Sequence, residues 1–356
     1  MNATSKSRLF PIALMIGLLS ALFSASCFAQ TYTVTDLGAI RHGSARVHGI
    51  NSSQQAVGGT GFPHGADTHA FFWQKQGGMR DLGTLAGGDY SAAFSINDSG
   101  QVAGTSNTAD SMHAFLWTSA AGMRDLGVLA GSNSAQGFAI NNLGDVVGSS
   151  GTHAVMWSNG TITDLGTLGG PTSEAHGINN HQQVVGFADT PADGQRAFIW
   201  SNGSMQQIGA LPGDTASRAD HINDAGTVVG TSEGTSGTRS FIWTQANGIQ
   251  PIGSLSGSTY SEAFAINNLG QVVGESGSSL GTRAFLWTSS GGMIDLNEAV
   301  TGLDPHIVLT GAFSINDKGE IVAFGVKSPN TTRHDVATMD SHLHSGPIRV
   351  FLLTPQ

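Results

Sequence analysis

The chain has 356 residues, of which 50 are glycine, 39% are hydrophobic and 11% are charged. Glycine is enriched over its typical ~7% without a Gly-X-Y period, which excludes collagen, and the hydrophobic content is too high for a disordered chain. The net charge of −10 gives no electrostatic reason to bind nucleic acid or an anionic membrane surface.

The N-terminus carries the features of an export signal. Lys6 and Arg8 precede an apolar run over 9–23, which is shorter than the ~20 residues of a membrane span but typical of a signal-peptide core. The small residue Ala29 fits a cleavage site. We therefore predict a signal peptide at 1–29 and a secreted or periplasmic mature chain without a transmembrane segment.

The only cysteine, Cys27, leaves a second interpretation of this region open. Residues 24–27 loosely resemble a bacterial lipobox, although Ser24 stands where an aliphatic residue is expected. Lipidation of Cys27 would anchor the protein to a membrane. Cleavage after Ala29 would instead leave a mature chain without cysteine, and therefore without disulfides.

One unit recurs seven times along the mature chain. Its most regular feature is the dipeptide Ile-Asn, which returns every 38 to 49 residues. Its isoleucines are Ile50, Ile96, Ile140, Ile178, Ile222, Ile266 and Ile315. A tryptophan and then a tripeptide similar to Asp-Leu-Gly follow most of these dipeptides. We interpret the asparagines as turn residues whose side chains bond the following backbone.

The unit at 263–297 shows the internal organisation most clearly. Short segments at 263–267, 271–276, 283–287 and 293–296 are separated by polar or glycine-rich turns and predict four strands. No segment shows a sustained 3.6-residue apolar period, so we expect almost no helix. Four antiparallel strands in about 44 residues correspond to one blade of a β-propeller, with the tryptophan filling the wedge between blades.

The two ends of the array predict how it closes. The seventh unit lacks a fourth strand, and the segment 32–38 (YTVTDLG) carries the missing motif ahead of the first unit. We therefore predict one all-β domain at 30–356, a seven-bladed propeller closed by the N-terminal strand. An open β-solenoid is the alternative, but closure removes both exposed sheet edges. The predicted blades cover 45–83, 92–127, 137–166, 175–209, 219–253, 263–297 and 312–354, the last completed by 32–38.

The third strand of the unit begins with a recurring tripeptide. It stands as His69-Ala70-Phe71 and as His113-Ala114-Phe115. In later copies the sequence drifts, to His153 followed by Ala-Val and then to Arg196, Arg239, Arg283 and Arg349. In these motifs, and over 32–354, the chain resembles the HAF-repeat family of extracellular bacterial repeat proteins. The resemblance implies an exported repeat protein and carries over no catalytic residue. We interpret the repeated His and Arg as scaffold.

Function is best sought where the seven copies differ. In the first strand, four copies have a phenylalanine, at Phe94, Phe138, Phe264 and Phe313, and the others have polar residues. If this strand lines the central channel, polar groups lie near the channel mouth. The candidate ligand-binding residues are Arg46, His48, His176, Arg218, Asp220 and His221. The simpler interpretation is a polar, water-filled channel.

The second irregularity is the long stretch 326–348. Its potential metal ligands are His334, Asp335, Asp340, His342 and His344. His342 and His344 could chelate a metal from an extended segment, but no spacing motif accompanies them. They are weak candidates beside a solvated surface loop, and we expect neither a metal nor another cofactor.

The motifs of common enzymes are missing or in the wrong context. Gly-x-Ser-x-Gly occurs at 230–234 and 277–281, but both copies fall between predicted strands, whereas a nucleophile elbow needs a strand-to-helix turn. We therefore expect an exported, non-catalytic propeller whose loops bind a glycan, a protein or a surface. Two alternatives are a propeller hydrolase or lyase acting on extracellular polysaccharide, and a periplasmic or lipid-anchored envelope scaffold.

Overall fold

The computed structural model describes residues 30–38, 45–60, 68–192, 194–327 and 348–356. The predicted signal peptide, Cys27 and the metal candidates His334, Asp335, Asp340, His342 and His344 lie outside these residues. The described residues form seven separate sheets. In six of them four antiparallel strands follow one another in chain order, as the repeat predicts.

Blades 1 to 3 contain the following strands. Blade 1 has β2 (Ala45–Ile50), β3 (Ala56–Thr60), β4 (Ala70–Gln74) and β5 (Gly78–Asp81). Blade 2 has β6 (Ser91–Ile96), β7 (Val102–Asn107), β8 (Met112–Thr118) and β9 (Gly122–Asp125). Blade 3 has β10 (Ala135–Ile140), β11 (Val146–Ser150), β12 (His153–Ser158) and β13 (Thr161–Gly166).

Blades 4 to 6 repeat this arrangement, with longer strands in blades 4 and 5. Blade 4 has β14 (Ser173–Ile178), β15 (Val184–Thr190), β16 (Gly194–Ser201) and β17 (Ser204–Gly209). Blade 5 has β18 (Asp214–Ile222), β19 (Val228–Gly234), β20 (Gly237–Thr244) and β21 (Gly248–Pro251). Blade 6 has β22 (Ser261–Ile266), β23 (Val272–Ser276), β24 (Arg283–Thr288) and β25 (Gly292–Asp295).

Blade 7 is assembled from both ends of the described chain. It contains β27 (Ile307–Ile315), β28 (Ile321–Lys327), β29 (Ile348–Pro355) and, antiparallel to β29, the N-terminal strand β1 (Tyr32–Gly38). The all-β, seven-bladed propeller closed by its N-terminal strand is therefore confirmed. The short helix α1 (Leu296–Ala299) leads into β26 (Val300–Thr301), which adds an unpredicted fifth strand parallel to β1.

The hydrophobic core is divided into seven clusters, one between each pair of neighbouring blades. Between blades 1 and 2, for example, Phe72 packs with Phe115 and Trp117, as expected for a tryptophan in the wedge. Both faces of each blade are thus buried. A Cβ on Gly104 would lie 2.1 Å from the carbonyl oxygen of Ala92 and 2.6 Å from the Phe115 ring. All three residues belong to blade 2, so the glycine of the second strand leaves room for the backbone of the first strand and for the phenylalanine of the third strand within one blade.

The asparagine that follows each isoleucine joins its blade to the next. Its side-chain nitrogen donates to the backbone oxygen of the equivalent asparagine one blade further, at 2.9–3.2 Å in all seven copies. Its side-chain oxygen accepts from the backbone of its own turn, as when Asn51 accepts from Ser53 and Gln55. The predicted turn role is confirmed, and a closed ring of hydrogen bonds is added to it.

Candidate functional site

A β-bulge in every first strand directs one side chain toward the axis of the ring. The register shift lies between Val47 and Gly49 in blade 1 and recurs at the same place in the other six. A bulge leaves its extra residue outside the ladder and re-aims the side chain. The seven bulge residues are His48, Phe94, Phe138, His176, Asp220, Phe264 and Phe313.

These seven residues line a central cavity of about 470 Å³, together with the Ile-Asn dipeptides and the residues that follow them. Of the residues singled out from the sequence, His48, His176, Asp220 and His221 line this cavity. Arg46 and Arg218 lie two residues before the bulge on their strands. Arg218 still reaches the cavity wall, because its Nε lies 2.7 Å from Asp220 Oδ1.

One part of the wall is a run of aromatic contacts. Ring centroids are 5.1 Å apart between His48 and Phe94, 5.6 Å between Phe94 and Phe138, and 5.5 Å between Phe138 and His176. A second group lies on blades 6 and 7, where Phe264 stacks on Phe313 at 4.7 Å and an interplanar angle of 9°. The cavity therefore offers flat apolar faces from several directions.

The wall at blades 4 and 5 is instead a charged network. His176 Nε2 lies 2.7 Å from Glu174 Oε1, and its Nδ1 lies 3.6 Å from Asp220 Oδ1. Burial lowers the pKa of His176, but hydrogen bonds to Asp220 and Glu174 and their charges outweigh burial and raise it to about 9. His176 is therefore a cation at neutral pH. With Arg218, the four charges of the network sum to zero.

His48 holds the equivalent position in blade 1 and behaves in the opposite way. Burial, and then the charge of Arg46, lower its pKa to about 4. It is therefore neutral at pH 7 and packs against the Phe94 ring. Two histidines that the sequence places in the same motif thus supply one neutral and one charged surface.

Asp220 and His221 retain unused hydrogen-bonding atoms. Asp220 Oδ2 and His221 Nδ1 are buried, and no described residue forms a hydrogen bond with either atom. His221 stands where the other copies have only glycine, serine or alanine, at Gly49, Ser95, Ala139, Gly177, Ala265 and Ser314. Burial lowers the pKa of His221, although the backbone of Ile266 and nearby carboxylates oppose this effect. Both residues can therefore accept a hydrogen bond from a ligand.

Three carboxylates were not predicted from the sequence: Glu174, which lines the cavity, and Glu262 and Glu275, which are not among its lining residues. Glu174 occupies the same strand position as Arg46 and Arg218, so the signal was present but was read only for the basic residues. Glu262 and Glu275 face each other on β22 and β23, and the Tyr260 hydroxyl donates to Glu275. Pairing across strands that are distant in sequence makes these two carboxylates hard to find without a structure.

Two other kinds of feature are absent from the described ranges. No group of three or more His, Cys, Asp or Glu residues there is arranged to hold a metal ion. No helix in the same residues has the length and apolarity needed to cross a membrane.

Comparison with protein-family models finds no match, and neither does comparison with curated proteins. Among solved structures, the chain is similar to a prolyl endopeptidase, with a TM-score of 0.52 and 9% identity over 84% of this chain and 47% of that chain. It is also similar to the extracellular domain of a putative one-component system from B. thetaiotaomicron, with a TM-score of 0.51 and 11% identity over 90% of this chain and 40% of that chain. A gluconolactonase from Xanthomonas campestris has a TM-score of 0.41 and 11% identity over 93% and 96% of the two chains. This chain thus spans less than half the length of the first two, and the identities show a shared fold alone.

Proposed function

We propose that this protein is an exported binding propeller that holds a saccharide in its central cavity and does not convert it. The observation that carries the proposal is the buried Asp220 Oδ2, which lines the cavity and accepts no hydrogen bond from the described residues. Leaving a buried acceptor unsatisfied costs about 1–3 kcal/mol. A ligand hydroxyl would recover that free energy, and Arg218 already holds the other oxygen in place.

The chemistry of the wall fits a sugar ring. Saccharides combine apolar C–H faces with hydroxyl groups that both donate and accept hydrogen bonds. The Phe94 and Phe138 rings offer flat surfaces for the first, and Asp220 and His221 offer acceptors for the second. A cavity with apolar walls and a few convergent polar groups is the usual form of a small-molecule site.

Two further parts of the proposal rest on the sequence. Export follows from the signal-peptide features of 1–29, and an extracellular or periplasmic location would bring the cavity into contact with polysaccharide. Secretion or a periplasmic location, with lipid anchoring at Cys27 as the alternative, and membership of the HAF-repeat family are proposals of the same kind.

The alternative of a polysaccharide hydrolase or lyase has one observation in its favour. Glu174, His176 and Asp220 converge at the cavity wall, as an acid–base mechanism would require. Each of the three is engaged by another member of the network, however, which favours a static role in shaping the site. Turnover should therefore be measured alongside binding.

The test uses titration calorimetry on the chain beginning at Gln30 with neutral oligosaccharides of glucose, galactose, mannose and N-acetylglucosamine. For whichever sugar binds, Asp220→Asn should weaken the affinity by at least tenfold. The amide carries no charge and offers only one acceptor oxygen. Asp110→Asn, at an exposed position on a loop, is the matched control. Absence of binding by every sugar contradicts the proposal. Release of new reducing ends would favour the hydrolase.

A further inference from the structure

Blade 6 pairs two carboxylates where the other blades do not. Glu262 and Glu275 are directly opposite each other on β22 and β23. Like charges at directly opposed positions destabilise a sheet. The equivalent pairs are Arg46 with Gly59, Ala92 with Thr105, Gln136 with Ser149, Glu174 with Phe187, Arg218 with Thr231, and Gly311 with Phe324. Since six blades fold without such a pair, the scaffold does not require it.

The two carboxylates also lack a close counterion. In the described ranges, the ion pairs made by arginine, lysine and histidine involve other carboxylates. Tyr260 donates a hydrogen bond to Glu275, and Arg218 attracts Glu262 only at longer range. Burial raises the pKa of Glu262 and of Glu275 above the ordinary value. No ion pair within the described ranges therefore offsets the negative charge that the two carboxylates carry when they are ionised.

Aromatic rings border the same space. Gly311 does not have a positive φ in the left-handed region, so its backbone conformation alone does not require glycine. A Cβ there would lie 2.7 Å from Phe313 Cε2 and 3.3 Å from Glu275 Oε2. The phenylalanine ring and the carboxylate thus flank one small volume. Phe313 in turn packs on Phe264 at 4.7 Å and on Phe324 at 4.5 Å between ring centroids.

We infer that the saccharide carries an ammonium group, and that Glu262 and Glu275 bind this group beside the cluster of Phe264, Phe313 and Phe324. The inference rests on the proposed function and narrows its ligand to an amino sugar. An ammonium group donates three hydrogen bonds, forms strong bonds to carboxylates and is attracted to aromatic faces. A hard metal ion would want six or more oxygen ligands, more than this pair supplies.

The electrostatic field of the whole protein also favours a cationic ligand. Asp98, Asp224 and Asp317 line the cavity among the residues that follow the Ile-Asn dipeptides. The whole chain carries a net charge of −10. Charges of one sign lining a cleft concentrate ligands of the opposite sign. A cationic sugar would therefore be drawn to the cavity before it reaches the carboxylate pair.

The test compares two probes of equal length by calorimetry at pH 7, glucosamine trimer and N-acetylglucosamine trimer. The chain beginning at Gln30 should bind the charged trimer at least tenfold more tightly than the acetylated one. Glu262→Gln and Glu275→Gln should each abolish most of this preference while leaving affinity for the acetylated trimer within twofold. Glu298→Gln, which removes an exposed charge outside the cavity, should leave the preference unchanged.

The outcomes separate the two proposals. Equal affinity for both trimers overturns the inference and leaves saccharide binding intact. A preference that survives Glu262→Gln and Glu275→Gln together also overturns it, because the net charge of the chain would then be the cause. If neither trimer nor any neutral sugar binds, the proposed function fails and the inference fails with it. Thermal unfolding of each variant verifies that a lost preference does not reflect a lost fold.

Discussion

His176 Nδ1 lies 3.6 Å from Asp220 Oδ1, across the boundary between blades 4 and 5. Because Glu174 contacts the other ring nitrogen, His176 is held as a cation in a wall that elsewhere carries phenylalanine. His48, at the same place in blade 1, meets Arg46 and Phe94 and is held neutral. The environment supplied by neighbouring copies, and not the repeat itself, sets the charge of each histidine.

Phenylalanine stands at the position of His176 in four other blades. Replacing His176 with phenylalanine should make the free energy of unfolding change less as pH rises into the alkaline range. The folded pKa of about 9 lies above the ordinary 6.5. The cation therefore stabilises the fold fully below pH 6.5, and this contribution is lost as pH rises through 9. Urea unfolding should give a destabilisation on the order of 2 kcal/mol at pH 6 that shrinks by pH 9.5. A constant difference between these pH values would show that His176 is not a cation in the fold.

Replacing His48 with phenylalanine should have the opposite pH signature. Its folded pKa of about 4 lies below 6.5, so the unfolded chain takes up a proton first as pH falls. The wild-type protein then loses stability between pH 6.5 and 4, and His48→Phe removes that loss. Urea unfolding at pH 7 and pH 4.5 should show the variant gaining stability relative to wild type on acidification. Identical acid sensitivity of the two proteins would contradict this assignment.

Replacing Asn179 with alanine should cost about 2–4 kcal/mol, since it removes several buried hydrogen bonds at once. The side chain donates to the Asn223 backbone oxygen and accepts from the amides of His181 and Gln183. Asn316→Ala should cost a similar amount, because its bond to Asn51 is equivalent. The exposed Ser53→Ala is the control. A small effect at Asn316 alone would mean that the ring is not closed in solution.

Tyr32 should be a main contributor to the closure of blade 7. Its side chain is fully buried in the cluster between blades 6 and 7. Tyr32→Ala should lower stability by about 3–5 kcal/mol, as for other buried aromatic residues. The neighbouring Thr33 is exposed, and Thr33→Ala should change stability by less than ~0.5 kcal/mol. Chemical unfolding followed by tryptophan fluorescence measures both, and equal effects would argue against a structural role for β1.

The fold could be predicted because its signals are short motifs that recur from copy to copy. The Ile-Asn spacing fixes seven units, and the orphan motif at 32–38 identifies the closing strand. The bulge at His48 could not be predicted, because it depends on the register between β2 and β3. The short strand β26 was missed for a similar reason, since its partner β1 is distant in sequence.

The residues of the site likewise fall into those that the sequence predicts and those that only the structure reveals. His48, His176 and Asp220 were found because they interrupt a column of phenylalanines. Glu174 was missed because its role requires contact with His176. The repeated histidines also have a partner that was not predicted. His69, His113 and His153 lie 2.7–2.9 Å from Asp81, Asp125 and Asp164 of the fourth strand. Comparing copies could have suggested this, because all three copies with the histidine keep the aspartate, whereas two of the four copies with arginine replace it, by Gln207 and Pro251.

The ring of asparagine hydrogen bonds has a consequence for how the chain could be reconnected. The same bond crosses all seven blade boundaries, so none of them is intrinsically the seam. A circularly permuted gene could join the present termini and open the chain before β5 or β9. The blade opened in this way would then be assembled from both ends of the new chain, as blade 7 is now. Such permutants should assemble the same cavity. They would also move the chain ends to a chosen side of the ring, where a second module could be fused without obstructing the channel.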